Sequence, residues 1–308
     1  MKIGLHFDHV LRSILSVLLL CAFFGCGPSE GSPTSGIATI YVAEDLAPIM
    51  ELEVDAFQQQ YPSATIQLRT STAGQAVAHL INDSVKLVVV PRYLTPEEQA
   101  VVRKNNIQID SQRIAYDGVA VLANSYTGVK EATAAQLAAF ASGAQTSMKS
   151  IGGSASENVI LAFGGRNSEM REELGARLLP SGVKMTESVA PCTSSTHAVS
   201  FVASHPSALG FVGLAWTKQL PQNVKILSIG DPAFKRLPYF DTLEYFAPHP
   251  AHLYRNFYPL RRTVYILSRG THINADKGFL AFVSGREGQS VINKNGLVPA
   301  TMPVRLVP

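Results

Sequence analysis

Residues 39–62 read T-I-Y-V-A-E-D-L-A-P-I-M-E-L-E-V-D-A-F-Q-Q-Q-Y-P. Residues 39–43 are a short β-rich run and predict a buried strand. Glu44 and Asp45 follow with no room for a long loop. Pro48 sits where a first helical turn tolerates its missing N–H. Met50, Val54, Phe57 and Tyr61 then recur on one helical face, and Pro62 stops the helix. A strand, a tight turn and a helix N-terminus in one segment aim free backbone N–H groups and the positive end of the helix dipole at one point. That point can receive an anion. Asp45 can equally be a plain N-cap and Glu44 a first-turn acid that suits the dipole.

The same grammar repeats along the chain. Residues 65–69 alternate as a strand, and Ser71 or Thr72 caps the next helix, whose inner face carries Ala76, Leu80 and Ile81. Residues 86–90 form an almost unbroken apolar run, as in a strand covered on both faces. Pro91 and Arg92 follow at its C-terminal edge, where ligands of open α/β sheets bind. Thr95, Pro96, Glu97 and Glu98 open a further helix. Residues 113–124 read as strand, interrupted at Asp117-Gly118 as at a bulge or a crossing between domains. Residues 132–143 predict a helix ended by Gly143, and residues 159–163 a strand. Gly164, Gly165, Arg166, Asn167 and Ser168 form a glycine-bearing turn into a helix over 169–179. A helix over 195–205, strands over 208–214 and 224–229, a strand over 263–267, a helix over 276–294 and an extended end complete the pattern. Residues 232–259 are rich in Pro, His and Tyr and carry no firm periodicity. Alternating β and α segments predict an α/β fold with mainly parallel sheets flanked by helices.

Composition narrows the function. The chain has 308 residues, 16% charged and 46% hydrophobic, with a formal net charge of +3. The length suits two domains, and the composition is that of a packed globule. No dense Lys/Arg patch supports nucleic-acid binding. Arg261-Arg262 is a tight basic pair, expected on a solvated face. The N-terminus differs from the rest. Residues 13–24 are apolar but too short to span a bilayer, and read as the core of a secretory signal. The run ends in F-F-G-C. Cys26 after a small residue resembles a lipobox, so Cys26 is the expected lipid-bearing residue, with 1–25 as signal peptide and 26–36 as a Pro/Gly/Ser tether. Cys192 is then the one cysteine left in the mature body, so no internal disulfide and no cysteine metal site is expected.

Catalytic motifs are missing from the sequence. His249 and His252 are three apart, but Pro250 lies between them and no H-E-x-x-H pattern is present. Neither Gly152-Gly153 nor Gly164-Gly165 carries the G-K-[ST] of a P-loop, and there is no G-x-S-x-G elbow. No enzyme, cofactor or metal is expected. What remains is four turns at predicted strand ends: Glu44-Asp45, Ser71-Thr72, Pro91-Arg92 and Gly164 to Ser168. Helix N-termini and arginines at such turns hold a small oxyanion by hydrogen bonds. A carboxylate at Glu44 or Asp45 accepts a hydrogen bond from the proton of hydrogen phosphate and is offered none by sulfate; an unmatched buried polar group costs about 1–3 kcal/mol.

Several stretches resemble the phosphate-specific periplasmic binding proteins of ABC transporters, in the branch seen as lipoproteins in Bacteroidetes-like bacteria. They are L-I-N-D-S-V-K-L-V-V-V-P-R-Y-L-T-P-E-E at 80–98, I-A-Y-D-G-V-A-V at 114–121, A-Q-L-A-A-F-A-S-G at 135–143, P-S-A-L-G-F-V-G-L-A-W at 206–216, Y-P-L-R-R-T-V-Y-I at 258–266 and G-L-V-P-A-T-M-P-V-R at 296–305. The resemblance implies a two-lobe fold with two crossings and a ligand cleft between the lobes. It assigns 37–115 with 231–308 to the first lobe and 116–230 to the second. It implies a cell-envelope lipoprotein in the periplasm that captures inorganic phosphate or a related oxyanion and delivers it, as a monomer, to an inner-membrane ABC permease. The implied ligand residues are Glu44, Asp45, Ser71, Thr72, Arg92, Arg166, Asn167 and Ser168. A second reading keeps the fold but makes the protein an envelope sensor or scaffold with a weakened oxyanion site. The chain departs from the family where Ser168 is followed by Glu169 and Met170, which removes a hydroxyl and adds a negative charge.

Overall fold

The computed structural model describes residues 31–155, 157–164, 169–232, 243–271 and 273–301. The signal segment, Cys26, and Arg166, Asn167 and Ser168 lie outside the described residues, as does the end of the chain beyond 301. Twelve strands are described: β1 (Gly36–Ala43), β2 (Ala64–Ser71), β3 (Leu87–Val90), β4 (Ile109–Asn124), β5 (Glu131–Thr133), β6 (Ile160–Ala162), β7 (Ala208–Gly213), β8 (Val224–Ile226), β9 (Ser228–Gly230), β10 (Tyr245–Phe246), β11 (Arg261–Arg269) and β12 (Val298–Pro299). The helices between them are α1 (Ala47–Gln60), α2 (Ala73–Ile81), α3 (Pro96–Lys104), α4 (Ala134–Ser142), α5 (Glu169–Leu178), α6 (Ser195–Ser204), α7 (Pro250–Tyr254), α8 (Ala275–Ser284) and α9 (Arg286–Lys294).

The strands form a curled mixed sheet in the order β2-β1-β3-β11-β4-β7-β6, with β12 and β8 also paired to β4. Parallel pairing holds at the two ends, where β1 lies between β2 and β3 and β6 lies beside β7. Antiparallel β11 and β4 join them in the middle. Strand β4 makes the connection. Its first half pairs with β11 as far as Gly118, and its second half pairs with β7 from Val119 onward. The expected interruption at Asp117-Gly118 is therefore a crossing within one 16-residue strand. Two apolar clusters sit on either side of this crossing. In the first, Phe57 of α1 packs edge-on against Phe279 and Phe282 of α8, at 5.5 Å between ring centroids in each case. In the second, Phe163 stacks on Phe211 of β7 at 5.2 Å. This is the α/β fold expected from the alternating pattern, in the two-lobe form that the resemblance implies.

Local signals set most boundaries. Thr72, Thr95 and Thr133 each form a reciprocal capping box, with Gln75, Glu98 and Gln136 respectively. Such caps satisfy donors that a helix start otherwise leaves open. Gly143 ends α4 with φ +78, a left-handed conformation that glycine adopts without a side-chain clash. Three expectations are corrected. The single helix expected over 276–294 is two helices, broken at Gly285. The strand expected over 224–229 is split at Leu227, which sends β8 to β4 and β9 to a separate small sheet with β5 and β10. Arg262 is not on a solvated face. It is 1% exposed and sits between carboxylates of both lobes.

Glu53 lies on the inner face of α1, is fully buried, and neither carboxyl oxygen has a hydrogen-bond partner among the described residues. Burial pushes its carboxyl up from 4.5 to about 9. The native protein thus holds a proton there that the unfolded chain releases above pH 4.5. Stability from this group is complete below about pH 4.5 and is lost as pH rises towards 9, with a slope of up to about 1.4 kcal/mol per pH unit. Glu53→Gln keeps the shape and removes the titration. Urea unfolding at pH 5.5 and 8 is expected to show the variant gaining about 1–3 kcal/mol on the wild type between the two pH values; an unchanged difference would refute the burial argument.

Candidate anion-binding cleft

A cleft of about 280 Å³ opens between the lobes, lined by Glu44, Asp45, Thr70, Ser71, Thr72, Gln75, Gly164, Glu169, Met170, Thr193 and Ser195. The first-lobe walls are strand ends leading into turns. After β1, a single 3₁₀ turn (Glu44–Leu46) presents Glu44 and Asp45 before α1 begins. After β2, the Thr72 side chain accepts from the Gln75 N–H and caps α2. The first-turn N–H groups of Ala73 and Gly74 have no acceptor within the helix. After β3, Arg92 stands at the strand's C-terminal edge. On the opposite lobe, α6 begins at Ser195 and α5 at Glu169.

The two lobes already exchange anionic contacts across this cleft. The Ser195 N–H donates to Glu44 Oε1 at 3.0 Å, and the Ser195 hydroxyl donates to Glu44 Oε2 at 2.7 Å. A carboxylate of the first lobe therefore sits on the N-terminus of α6 in the second. In the other direction, Arg92 Nε donates to Glu169 Oε1 at 2.6 Å. The two terminal nitrogens of Arg92 donate to the two oxygens of Glu98 at 2.8 and 3.0 Å. Gly164 leaves room for the first contact. A Cβ there would stand 3.1 Å from Glu44 Oε2 and from both Ser195 donors.

Charge explains the strain on these groups. Burial pushes the Glu44 carboxyl up, and the Ser195 hydrogen bonds only partly oppose it. Burial also pushes Glu169 up, against the pull of Arg92. The Arg92 guanidinium is pulled down by burial, but the Glu98 hydrogen bonds and the Glu169 charge outweigh this and hold it above its ordinary value. Behind the cleft, Arg262 binds Asp45, donates to Asp117 Oδ2 through Nε at 2.9 Å and Nη2 at 2.6 Å, and reaches Glu173 of α5 at 3.3 Å. Gly213 makes this approach feasible: a Cβ there would stand 2.8 Å from Arg262 Nη2 and from the Asp45 carbonyl oxygen.

Of the residues expected from sequence, Glu44, Asp45, Ser71 and Thr72 come together as cleft lining. Arg92 meets the cleft through Glu169. Asp45 is not the N-cap of α1. Leu46 holds that position with no side-chain bond, while Asp45 turns to Arg262. Thr72 is the cap of α2, and the Ser71 hydroxyl donates to the Thr72 carbonyl at 3.0 Å. Ser195, Thr193 and Gln75 were not expected. Ser195 follows Ser194, the N-cap of α6, so a Ser-Ser pair before a helix was its only local signal. His249 caps α7 and the His252 ring pairs with the Ala247 carbonyl. Among the described residues, no group of three or more His, Cys, Asp or Glu could hold a metal ion.

The sequence matches the family described as the PBP superfamily domain over residues 27–287, most of the chain. The protein belongs to the PBP superfamily. No curated protein matches the sequence. Solved structures share the PBP fold. One is described as a phosphate ABC transporter substrate-binding protein with bound phosphate from Clostridium perfringens; it is 19% identical, with a TM-score of 0.72 over 86% of this chain and 100% of that one. An ABC-type phosphate transport receptor from Vibrio cholerae is 19% identical, with a TM-score of 0.65 over 86% and 100% of the two chains. A phosphate-binding protein from Stenotrophomonas maltophilia is 14% identical, with a TM-score of 0.62 over 86% and 91%. At these identities the likeness is one of fold.

Proposed function

We propose that this PBP-superfamily protein is a cell-envelope solute-binding protein that captures inorganic phosphate for an ABC transporter. One observation carries the reading: the donors in the cleft are already holding oxyanions. Glu44 rests on the N–H and hydroxyl of Ser195, and Glu169 rests on Arg92. A helix N-terminus and a guanidinium that seat carboxylates in this geometry have the distances and directions to seat phosphate oxygens. The first-turn N–H groups of α2 supply a third donor set. The fold relatives described as phosphate-binding and phosphate-transport proteins support the same choice. Glu44, Asp45, Ser71, Thr72 and Arg92 are the proposed ligand residues on the first lobe, Arg166, Asn167 and Ser168 those on the second, and Ser195 joins them.

The role proposed is capture without chemical change. Residues 37–115 with 231–308 form the proposed first lobe and 116–230 the second, hinged near the point where β4 passes from β11 to β7. Closure about that hinge would present the loaded, monomeric protein to an inner-membrane permease. Cys26 would carry the lipid and the segment to residue 36 would tether the body in the periplasm. Among the described residues no helix is long and apolar enough to cross a membrane. A second reading, an envelope sensor or scaffold, is favoured by the full pairing of Arg92 with Glu98 and Glu169. Calorimetry against phosphate and sulfate separates the two: the transport reading expects phosphate heat and none from sulfate, and the sensor or scaffold reading expects neither.

A further inference from the structure

We infer that Glu169 is a tethered competitor: its carboxylate occupies the Nε donor of Arg92 in the empty protein, ties the two lobes there, and must be displaced by any oxyanion that takes that donor. This rests on the phosphate reading of the cleft for its second half only. The geometry is specific. Arg92 belongs to the first lobe and Glu169 to the second, so their 2.6 Å contact spans the cleft. Glu98 takes the two terminal nitrogens of Arg92, one of which also donates to the Tyr93 carbonyl at 3.0 Å. Nε is the donor turned towards the other lobe, and Glu169 holds it. The Glu169 side chain is 9% exposed, too enclosed to be a casual surface partner.

The placement makes the contact more than structural. Glu169 is the first residue of α5 and lines the cleft beside Glu44 and Asp45. An oxyanion in that space meets a like charge on each side. It gains the bond to Nε only if the Glu169 carboxylate leaves that nitrogen. Removing the carboxylate therefore removes both a competitor and a repulsion. Charge-assisted hydrogen bonds of this kind are worth about 1.5–3 kcal/mol, which corresponds to roughly 10–100-fold in affinity. Glutamine keeps the length and loses the charge; serine loses the reach.

The test uses the full chain, stripped of phosphate, as wild type, Glu169→Gln and Glu169→Ser. Calorimetry reads the inorganic phosphate affinity, and NMR exchange rates read protection of the Arg92 Nε–H. The expected result is a protected Nε–H in the empty wild type, loss of protection in Glu169→Ser, and phosphate binding about tenfold or more tighter in both variants. Wild-type binding with no gain in either variant would overturn the competitor and leave the phosphate reading standing. An exposed Nε–H in the empty wild type would overturn the tether itself. A protected wild-type Nε–H that Glu169→Ser exposes, with phosphate bound by none of the three proteins, would support the tether and remove phosphate as the ligand.

Discussion

Arg262→Leu is expected to lower folding stability by about 3–5 kcal/mol, the range for stripping the partner from buried charges. Arg262 has no exposed side-chain surface, and it neutralises Asp45, Asp117 and Glu173 at once. Without it, three carboxylates at 2–8% side-chain exposure face one another, and Arg177, 2.9 Å from Glu173 Oε1, is left to pair with Glu173 alone. Asp117 is already under pressure, since burial raises its carboxyl and its Oδ1 has no hydrogen-bond partner among the described residues. The effect joins levels of the structure. Asp45 belongs to the cleft turn after β1, Asp117 to the crossing strand β4, and Glu173 to α5 of the second lobe. Losing Arg262 should loosen the turn, the hinge and the lobe contact together. Adding Asp45→Asn and Asp117→Asn to Arg262→Leu should recover part of the loss, because neutral amides need no counter-charge. Urea unfolding at pH 7 measures it. A loss under 1 kcal/mol would mean that water enters the cluster and the charges are screened.

Arg92→Ala is expected to weaken phosphate binding by about 100-fold or more. The substitution removes a charge-assisted donor and leaves Glu98 and Glu169 with no cation between them. Lysine is expected to restore little, because a point charge cannot hold Glu98 through two parallel bonds and still present a donor to the cleft. Arg92→Ala combined with Glu169→Gln should regain part of the loss by removing the repulsion alone. Calorimetry reads the affinities, and an unchanged melting temperature would show that the fold is intact. Equal binding by wild type and Arg92→Ala would remove Arg92 from the ligand set.

Sequence and structure agree where short-range physics decides. The capping Thr95 with Pro96 and Glu98, the Gly143 stop, and the buried run ahead of Arg92 each depend on neighbours a few residues away, and each lies where its pattern puts it. Long-range partners were not legible. Arg261-Arg262 looked like a solvated pair because strand alternation says only that one of them points inward, not that three acids from 89 to 217 residues away meet it. Ser195 became part of the cleft through a partner 151 residues distant. Glu53 broke no rule of helix periodicity when read as polar, yet its position is fully buried against α9, where Gly288 leaves space for it. Glu169 was visible as an added charge, but its grip on Arg92 needs the two lobes in place.

The most direct test of the central claim is calorimetry of the phosphate-stripped protein against inorganic phosphate and then sulfate at neutral pH. Saturable heat is expected with phosphate and none with sulfate, since a cleft holding Glu44 and Asp45 favours an anion that brings its own proton. Sulfate heat equal to that of phosphate would contradict the role given to those carboxylates. No heat from either would contradict phosphate capture and leave the self-liganded cleft as a feature of a sensor or scaffold.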